Sequence, residues 1–396
     1  MNRTLLPLLL AAALAGCAAQ PPKQPAPASA PSPAAASAPA VEPAPPAPVQ
    51  PPQPPAPKPA AAPRNFIPAS VPPGVRDRQG WIADIDSAFR HLQIPPTAEN
   101  ACALAAVIEQ ESSWQADPTV PGLPKIVWSK IEERAHRYLV PLPVVKTALL
   151  KTSPNGQSYK ARIDGLRTER EMNQLYEDMA REAKQMGLPM DMKNPIRTGG
   201  PMQVSVEFAE SHVKAWPYPY AHRDSIRHQV FTRRGGVYFG AAILLQYPAP
   251  YQDMRYRFAD FNAGRYSSRN AAFQAALSRI GARKLALDGD LLNYQDSKPS
   301  GSQQAALTLA GKLGMSRDAI LRDLKQEKYS AFGQSELYRR VFALADRQHG
   351  KPLPRAIMPQ IDLKSPKITR KLTTQWFAER VDGRYQRCLA RVSAAD

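Results

Sequence analysis

Residues 97–114 read Thr97-Ala98-Glu99-Asn100-Ala101-Cys102-Ala103-Leu104-Ala105-Ala106-Val107-Ile108-Glu109-Gln110-Glu111-Ser112-Ser113-Trp114. Thr97 suits a helix N-cap. Beyond it Leu104, Val107, Ile108 and Glu111 recur at offsets of three, four and seven, one face of a helix running to about Trp114. Glu111 thus continues an apolar face. Partial burial of a carboxyl disfavours its ionised form, which suits a general acid that protonates a glycosidic oxygen near neutral pH. Glu109, two positions back, is expected to point into solvent.

Outward from this helix the same periodicity recurs. Thr168 and Glu171 have capping-box spacing, followed by Met172, Leu175, Met179 and Met186, with Gly187 as terminator. Near the end, Phe377, Val381, Tyr385 and Cys388 share a face. Strand-like alternation is scarce, so a mainly α protein is expected.

Upstream, the chain opens MNRTLLPLLLAAALAGCAAQ, with Arg3, an apolar run from Leu5 to Leu14 and small residues before Cys17. That is a secretory signal too short to span a bilayer. Leu14-Ala15-Gly16-Cys17 resembles the bacterial lipobox, which implies signal peptide 1–16 and acylation of Cys17 by palmitate-type chains. Ala18, rather than an aspartate, implies sorting to the outer membrane, with the globular part facing the periplasm. Between Pro21 and Pro63 stand 18 of the 42 prolines and three charges, Lys23, Glu42 and Lys58. Residues 17–73 therefore read as a disordered, Pro-rich tether, able to extend over roughly 100 Å at ~3.1 Å per residue.

With Cys17 assigned to lipid, Cys102 and Cys388 remain either as a disulfide pair in an oxidising compartment or as two separately buried thiols. A net charge of +18 points to anionic partners. For an exported protein these are peptidoglycan carboxylates, lipopolysaccharide phosphates and lipid headgroups rather than nucleic acid.

Three short motifs carry a family resemblance. Glu111-Ser112 near a helix end, Gly200-Pro201-Met202-Gln203 and Phe261-Asn262-Ala263-Gly264 follow one another in the order found in lysozyme-like lytic transglycosylases. The chain also resembles an uncharacterised family of bacterial envelope lipoproteins with such a core. The resemblance spans about residues 97–273. It implies a lysozyme-like helical domain over 74–295, with a helical insertion at about 120–195, and a C-terminal helical region over 296–396. It further implies cleavage of peptidoglycan glycan strands, without cofactor or metal, by Glu111 as sole acid and base, giving 1,6-anhydromuramyl products.

Ser112, Met202, Gln203, Phe261, Asn262 and Gly264 would shape the saccharide site. Gln203 and Asn262 would hold substrate amides, and Met202 would give an apolar wall against a sugar ring. Asp117, Glu207, Glu210 and Asp260 are read as structural. Two features depart from the pattern. Phe261 replaces a tyrosine whose hydroxyl Tyr238 or Tyr266 would have to supply, and 89 positions separate Glu111 from Gly200. They keep open a non-catalytic, peptidoglycan- or envelope-binding lipoprotein on the same fold. His212, His222 and His228 lack metal-site spacing. Trp216-Pro217-Tyr218-Pro219-Tyr220 reads as a sugar-stacking or a packed loop, and Arg255, Arg257, Arg265 and Arg269 as carboxylate contacts or a solvated basic face.

Overall fold

A computed structural model describes residues 64–187, 194–281, 283–294, 298–363 and 371–394. Cys17, the signal sequence and most of the tether lie outside these residues. Helices α1 (Ile67–Ser70), α2 (Arg78–Leu92) and α3 (Ala98–Ser112) open the fold. Then come α4 (Leu123–Arg137), α5 (Leu142–Ala148), α6 (Tyr159–Asp164) and α7 (Glu169–Gln185). A two-residue antiparallel ladder, β1 (Thr198–Gly199) with β2 (Val204–Ser205), leads into α8 (Val206–Ala215), α9 (Ile226–Val230), α10 (Arg233–Leu245), α11 (Met254–Ala263) and α12 (Ser267–Ile280). Beyond these lie α13 (Gly301–Thr308), α14 (Ala310–Leu313), α15 (Arg317–Leu324) and α16 (Glu336–His349). A second small ladder, β3 (Asp362–Leu363) with β4 (Leu372–Thr373), precedes α17 (Thr374–Ala394). The protein is mainly α.

Thr97 caps α3, its hydroxyl accepting from Asn100 N at 3.2 Å. The helix is not the one-faced element its periodicity implies: every residue from Ala101 to Ile108 is buried. The reason is tertiary, because α3 packs against α1, α10 and α17. At α7 the reciprocal Thr168–Glu171 bonds form, and Met172, Leu175 and Met179 are buried. Met186, expected on that face, is instead 51% exposed.

Two apolar cores replace the expected division at 295/296. The first gathers α1–α3, the insertion helices, α10, α11 and, from the far end of the chain, Phe377, Val381, Tyr385 and Cys388 of α17. The second is built by α12 with α13–α16. The insertion is thus part of the main core, through Val127, Ile131 and Leu175. The 296–396 region is two things: a helical unit under α12, and a last helix that returns to the first core. Cys102 of α3 and Cys388 of α17 form a disulfide, with Cα atoms 5.4 Å apart. Arg391 of α17 also donates to the Ser70 carbonyl at 2.6 Å, capping the C-terminal end of α1.

Helix α10 is the hub of the first core, packing on α2, α3, β2 and α11. Its glycines make room for the β1–β2 turn. A Cβ added at Gly240 would sit 2.1 Å from Met202 Sδ and 3.0 Å from Met202 Cβ. Because Met202 is fully buried, it has nowhere to swing. Gly240→Ala is therefore expected to cost about 1–3 kcal/mol by overpacking, read as a lower urea midpoint of the full chain. An unchanged midpoint would show that the turn and α10 can separate freely.

Candidate functional site

Glu111 is the penultimate residue of α3 and is half-buried. The chain leaves the helix through two consecutive left-handed residues, Ser113 (φ 49°) and Trp114 (φ 63°). Non-glycine residues rarely adopt this conformation. It is held here by Ser113 N donating to Glu109 O at 3.1 Å and by Trp114 packing edge-on to Trp81, with ring centroids 5.2 Å apart. Ser112 is buried and its Oγ donates to the Ile108 carbonyl at 2.9 Å. It is a local helix bond, not a free substrate contact.

Glu109 does not point into open solvent. Arg384 Nε and Arg387 Nη2 of α17 each lie 3.5 Å from its Oε1. Burial pulls the Arg384 guanidinium below its usual range, while Glu109 and Glu111 both support its charge. Arg384 is thus, beside Arg387, a cation that faces the end of α3. Nothing in local sequence marks it, because it stands 273 positions from Glu111 and is placed by the packing of α17.

The second motif forms the β1–β2 turn, Gln203 N donating to Gly200 O at 3.1 Å. Gly200 has φ 72°, and a Cβ there would sit 2.1 Å from the Val230 carbonyl, so both conformation and space require glycine. Gln203 Nε2 donates to Glu169 Oε2 at 2.8 Å, tying the turn to the first residue of α7. Met202, expected as a wall against a sugar, is inside the core on Gly240. The apolar packing of the turn onto α10 leaves no other place for it.

The third motif ends α11. Phe261 is buried, Asn262 Oδ1 accepts from Thr374 Oγ1 of α17 at 2.9 Å, and Gly264 terminates the helix at φ 112°. Tyr238 and Tyr266 are both buried. The Tyr238 hydroxyl has no hydrogen-bond partner and its ring lies among His212, Tyr218, Tyr220 and Phe239. The Trp216–Tyr220 stretch is accordingly a packed loop over α10, Tyr218 stacking on Phe239 at 5.2 Å.

The arginines flanking Phe261 are not, as a group, a solvated face, and most are engaged by the protein's own carbonyls. Arg257 donates to the Leu244 and Tyr247 carbonyls and Arg265 to those of Ile243 and Ala242. Together they donate to carbonyls of the last turn of α10 and of Tyr247 just beyond it, as basic side chains near a helix C-terminus do. Arg269 is buried and donates to the carbonyls of Tyr329 and Glu327, joining the second core. Only Arg255 is at the surface, paired with Asp253 at 2.6 Å.

Asp117 pairs with Arg170 at 2.7 Å. Asp260 is fully buried and accepts from Tyr266 N at 2.8 Å, Ser268 N at 2.7 Å, Tyr247 OH at 3.1 Å and Tyr251 OH. Burial outweighs these donors and pushes its carboxyl up to about 7; burial does the same to Glu327, also to about 7. Burial holds His212 down at about 4.

Between pH 4 and 7 the folded chain therefore binds more protons at the two carboxyls than the unfolded chain does, and stability rises as pH falls through that window. His212 acts oppositely between about 6.5 and 4. Two groups outweigh one, so the urea midpoint is expected to be higher at pH 5.5 than at pH 8, and Asp260→Asn should shrink that difference. A midpoint that falls on acidification would contradict this assignment.

Among the described residues no group of three His, Cys, Asp or Glu side chains is placed to hold a metal. None of their helices is long and apolar enough to cross a membrane. A cavity of about 510 Å³ opens between α7 and α9, lined by Tyr176, Arg181, Asn194, Arg227 and His228 among others, but by none of the motif residues.

In comparisons with known proteins, no solved structure matched. The Escherichia coli (strain K12) protein described as "Uncharacterized protein YaiW" is 48% identical over 319 residues, covering 81% of this chain and 87% of the relative. A family model described as "Protein of unknown function (DUF1615)" matches residues 74–391, a span that takes in the second core, most of the first, all three motifs and most of the returning helix α17. The chain belongs to the DUF1615 family.

Proposed function

We propose that this protein is a lipid-anchored outer-membrane protein, acylated at Cys17, whose helical domain is lysozyme-like. It cleaves peptidoglycan glycan strands as a lytic transglycosylase with Glu111 as acid and base. One observation carries the reading. The half-buried Glu111 ends α3, and α3, the Gly200–Gln203 turn and the Phe261–Gly264 helix end are all mounted on one helix, α10.

In this chemistry Glu111 protonates the glycosidic oxygen. It then takes the proton of the muramyl 6-hydroxyl as that oxygen closes the anhydro ring, so no water and no second carboxylate are consumed. The test is incubation of murein sacculi with the full chain, followed by mass analysis. Release of muropeptides with 1,6-anhydro ends is expected.

A second reading rests on its own observation. The amides of Gln203 and Asn262 are engaged by Glu169 and Thr374, and Met202 is buried. That favours a lysozyme-like fold that binds glycan without cutting it. Retention on sacculi with no anhydro product would select this reading.

A further inference from the structure

Six large apolar side chains are exposed among the described residues, and four of them, Tyr138, Leu139, Val144 and Leu150, fall within one 13-residue stretch. Single exposed apolar residues are ordinary, but a concentration of them calls for a use. The stretch is the tip of the insertion, where α4 turns into α5. Leu139 is 89% exposed and sits at φ 56°. Leu139 N donates to His136 O at 3.0 Å and Val140 N to Ala135 O at 2.8 Å. This is a helix-ending motif whose left-handed position normally falls to glycine. A glycine would relieve both the strain and the apolar exposure, yet a leucine is displayed there, on a backbone already fixed by these bonds and by Pro141.

The charge carried by the stretch itself is of one sign. From residue 134 to 151 the chain carries Arg134, Arg137, Lys146 and Lys151 and no Asp or Glu. Some of this charge is met from outside the stretch: Arg137 lies 3.2 Å from Glu133, and Lys151 pairs with Glu182. Lys146 lies over the Trp128 ring at 5.5 Å, and the Asp164 carboxyl, held low mainly by its pair with Lys160, is also lowered by the charge of Lys146. An exposed aliphatic and aromatic tip with a cationic rim matches the layered chemistry of an anionic bilayer, acyl boundary beneath phosphate. Two copies of the tip would bring like charges together, and a neutral glycan offers nothing to the aliphatic side chains.

We propose that the 138–150 tip docks into the headgroup layer of an anionic phospholipid membrane, with Leu139 entering first and Arg137 and Lys146 meeting the phosphates. This does not depend on the catalytic reading. The experiment uses the full chain with Cys17→Ser and Leu139→Cys. Because Cys102 and Cys388 are bonded to each other, an environment-sensitive fluorophore attaches at 139. A second protein carries it at the exposed Lys312 position of the second core instead.

On phosphatidylcholine vesicles containing phosphatidylglycerol, the label at 139 is expected to shift to the blue and brighten severalfold. On pure phosphatidylcholine it should stay water-like, as should the label at 312 on both. Each cation near an anionic surface is worth about fivefold in partitioning, so Arg137→Glu with Lys146→Glu should remove the shift while circular dichroism stays unchanged. Equal emission at 139 on both vesicle types would overturn the proposal. So would a shift that grows with protein concentration in the absence of vesicles, which would assign the tip to a second copy of the chain.

Discussion

Glu111→Gln is expected to lower release of anhydro-muropeptides from sacculi by roughly 10²- to 10⁴-fold, the range of general-acid assistance, while the protein stays folded. Glutamine keeps the size of the side chain and its capacity to hydrogen-bond but has no proton to deliver. The half-buried position of Glu111 on the last turn of α3 is unchanged by the swap, and the turn that follows is fixed independently by Trp114 on Trp81. Binding to sacculi should therefore survive when cleavage does not.

Glu109→Gln is the companion measurement. Because Glu109 faces Arg384 and Arg387, it is expected to change stability slightly, as partly exposed ion pairs do, and to leave the product pattern intact. Equal activity of wild type and Glu111→Gln would remove Glu111 from the mechanism. A dependence on Glu109 instead would move the chemistry to the α3–α17 seam.

Removal of the Cys102–Cys388 bond is expected to be the largest single loss of stability. The bond joins residues 286 positions apart, and the chain-entropy relation gives about 5 kcal/mol for closing such a loop, an upper figure. Structure adds to this. The bond fastens α17 across α3, and α17 in turn supplies Phe377, Val381 and Tyr385 to the core, Thr374 to Asn262 and Arg391 to the end of α1. In the Cys102→Ala, Cys388→Ala double variant the midpoint of thermal unfolding should drop by many degrees. The same drop should appear in wild type under reductant. Two free thiols from Cys102 and Cys388, counted in denatured protein without reductant, would rule the bond out.

Much of the fold was legible locally. The Thr97 cap, the Thr168–Glu171 capping box, the Met172–Leu175–Met179 face of α7 and the apolar face of α17 each depend on residues a few positions apart, and local spacing encodes them. By itself the sequence determined a mainly helical protein and the order of its three motifs.

Tertiary structure decided everything that couples distant positions. Periodicity assigned α3 one apolar face, but helices from residues 67–70, 233–245 and 374–394 surround it and bury it on all sides. The flanking arginines were open between carboxylate contacts and a solvated basic face until the end of α10 came close enough for its carbonyls to accept hydrogen bonds from Arg257 and Arg265. Met202 read as a sugar wall until the glycines of α10 admitted it to the core. The even cysteine count became a bond only because α17 folds back over 286 positions. Local spacing records the hydrogen bonds and faces of single elements, whereas packing is a property of pairs of elements, and no residue states its partner in advance.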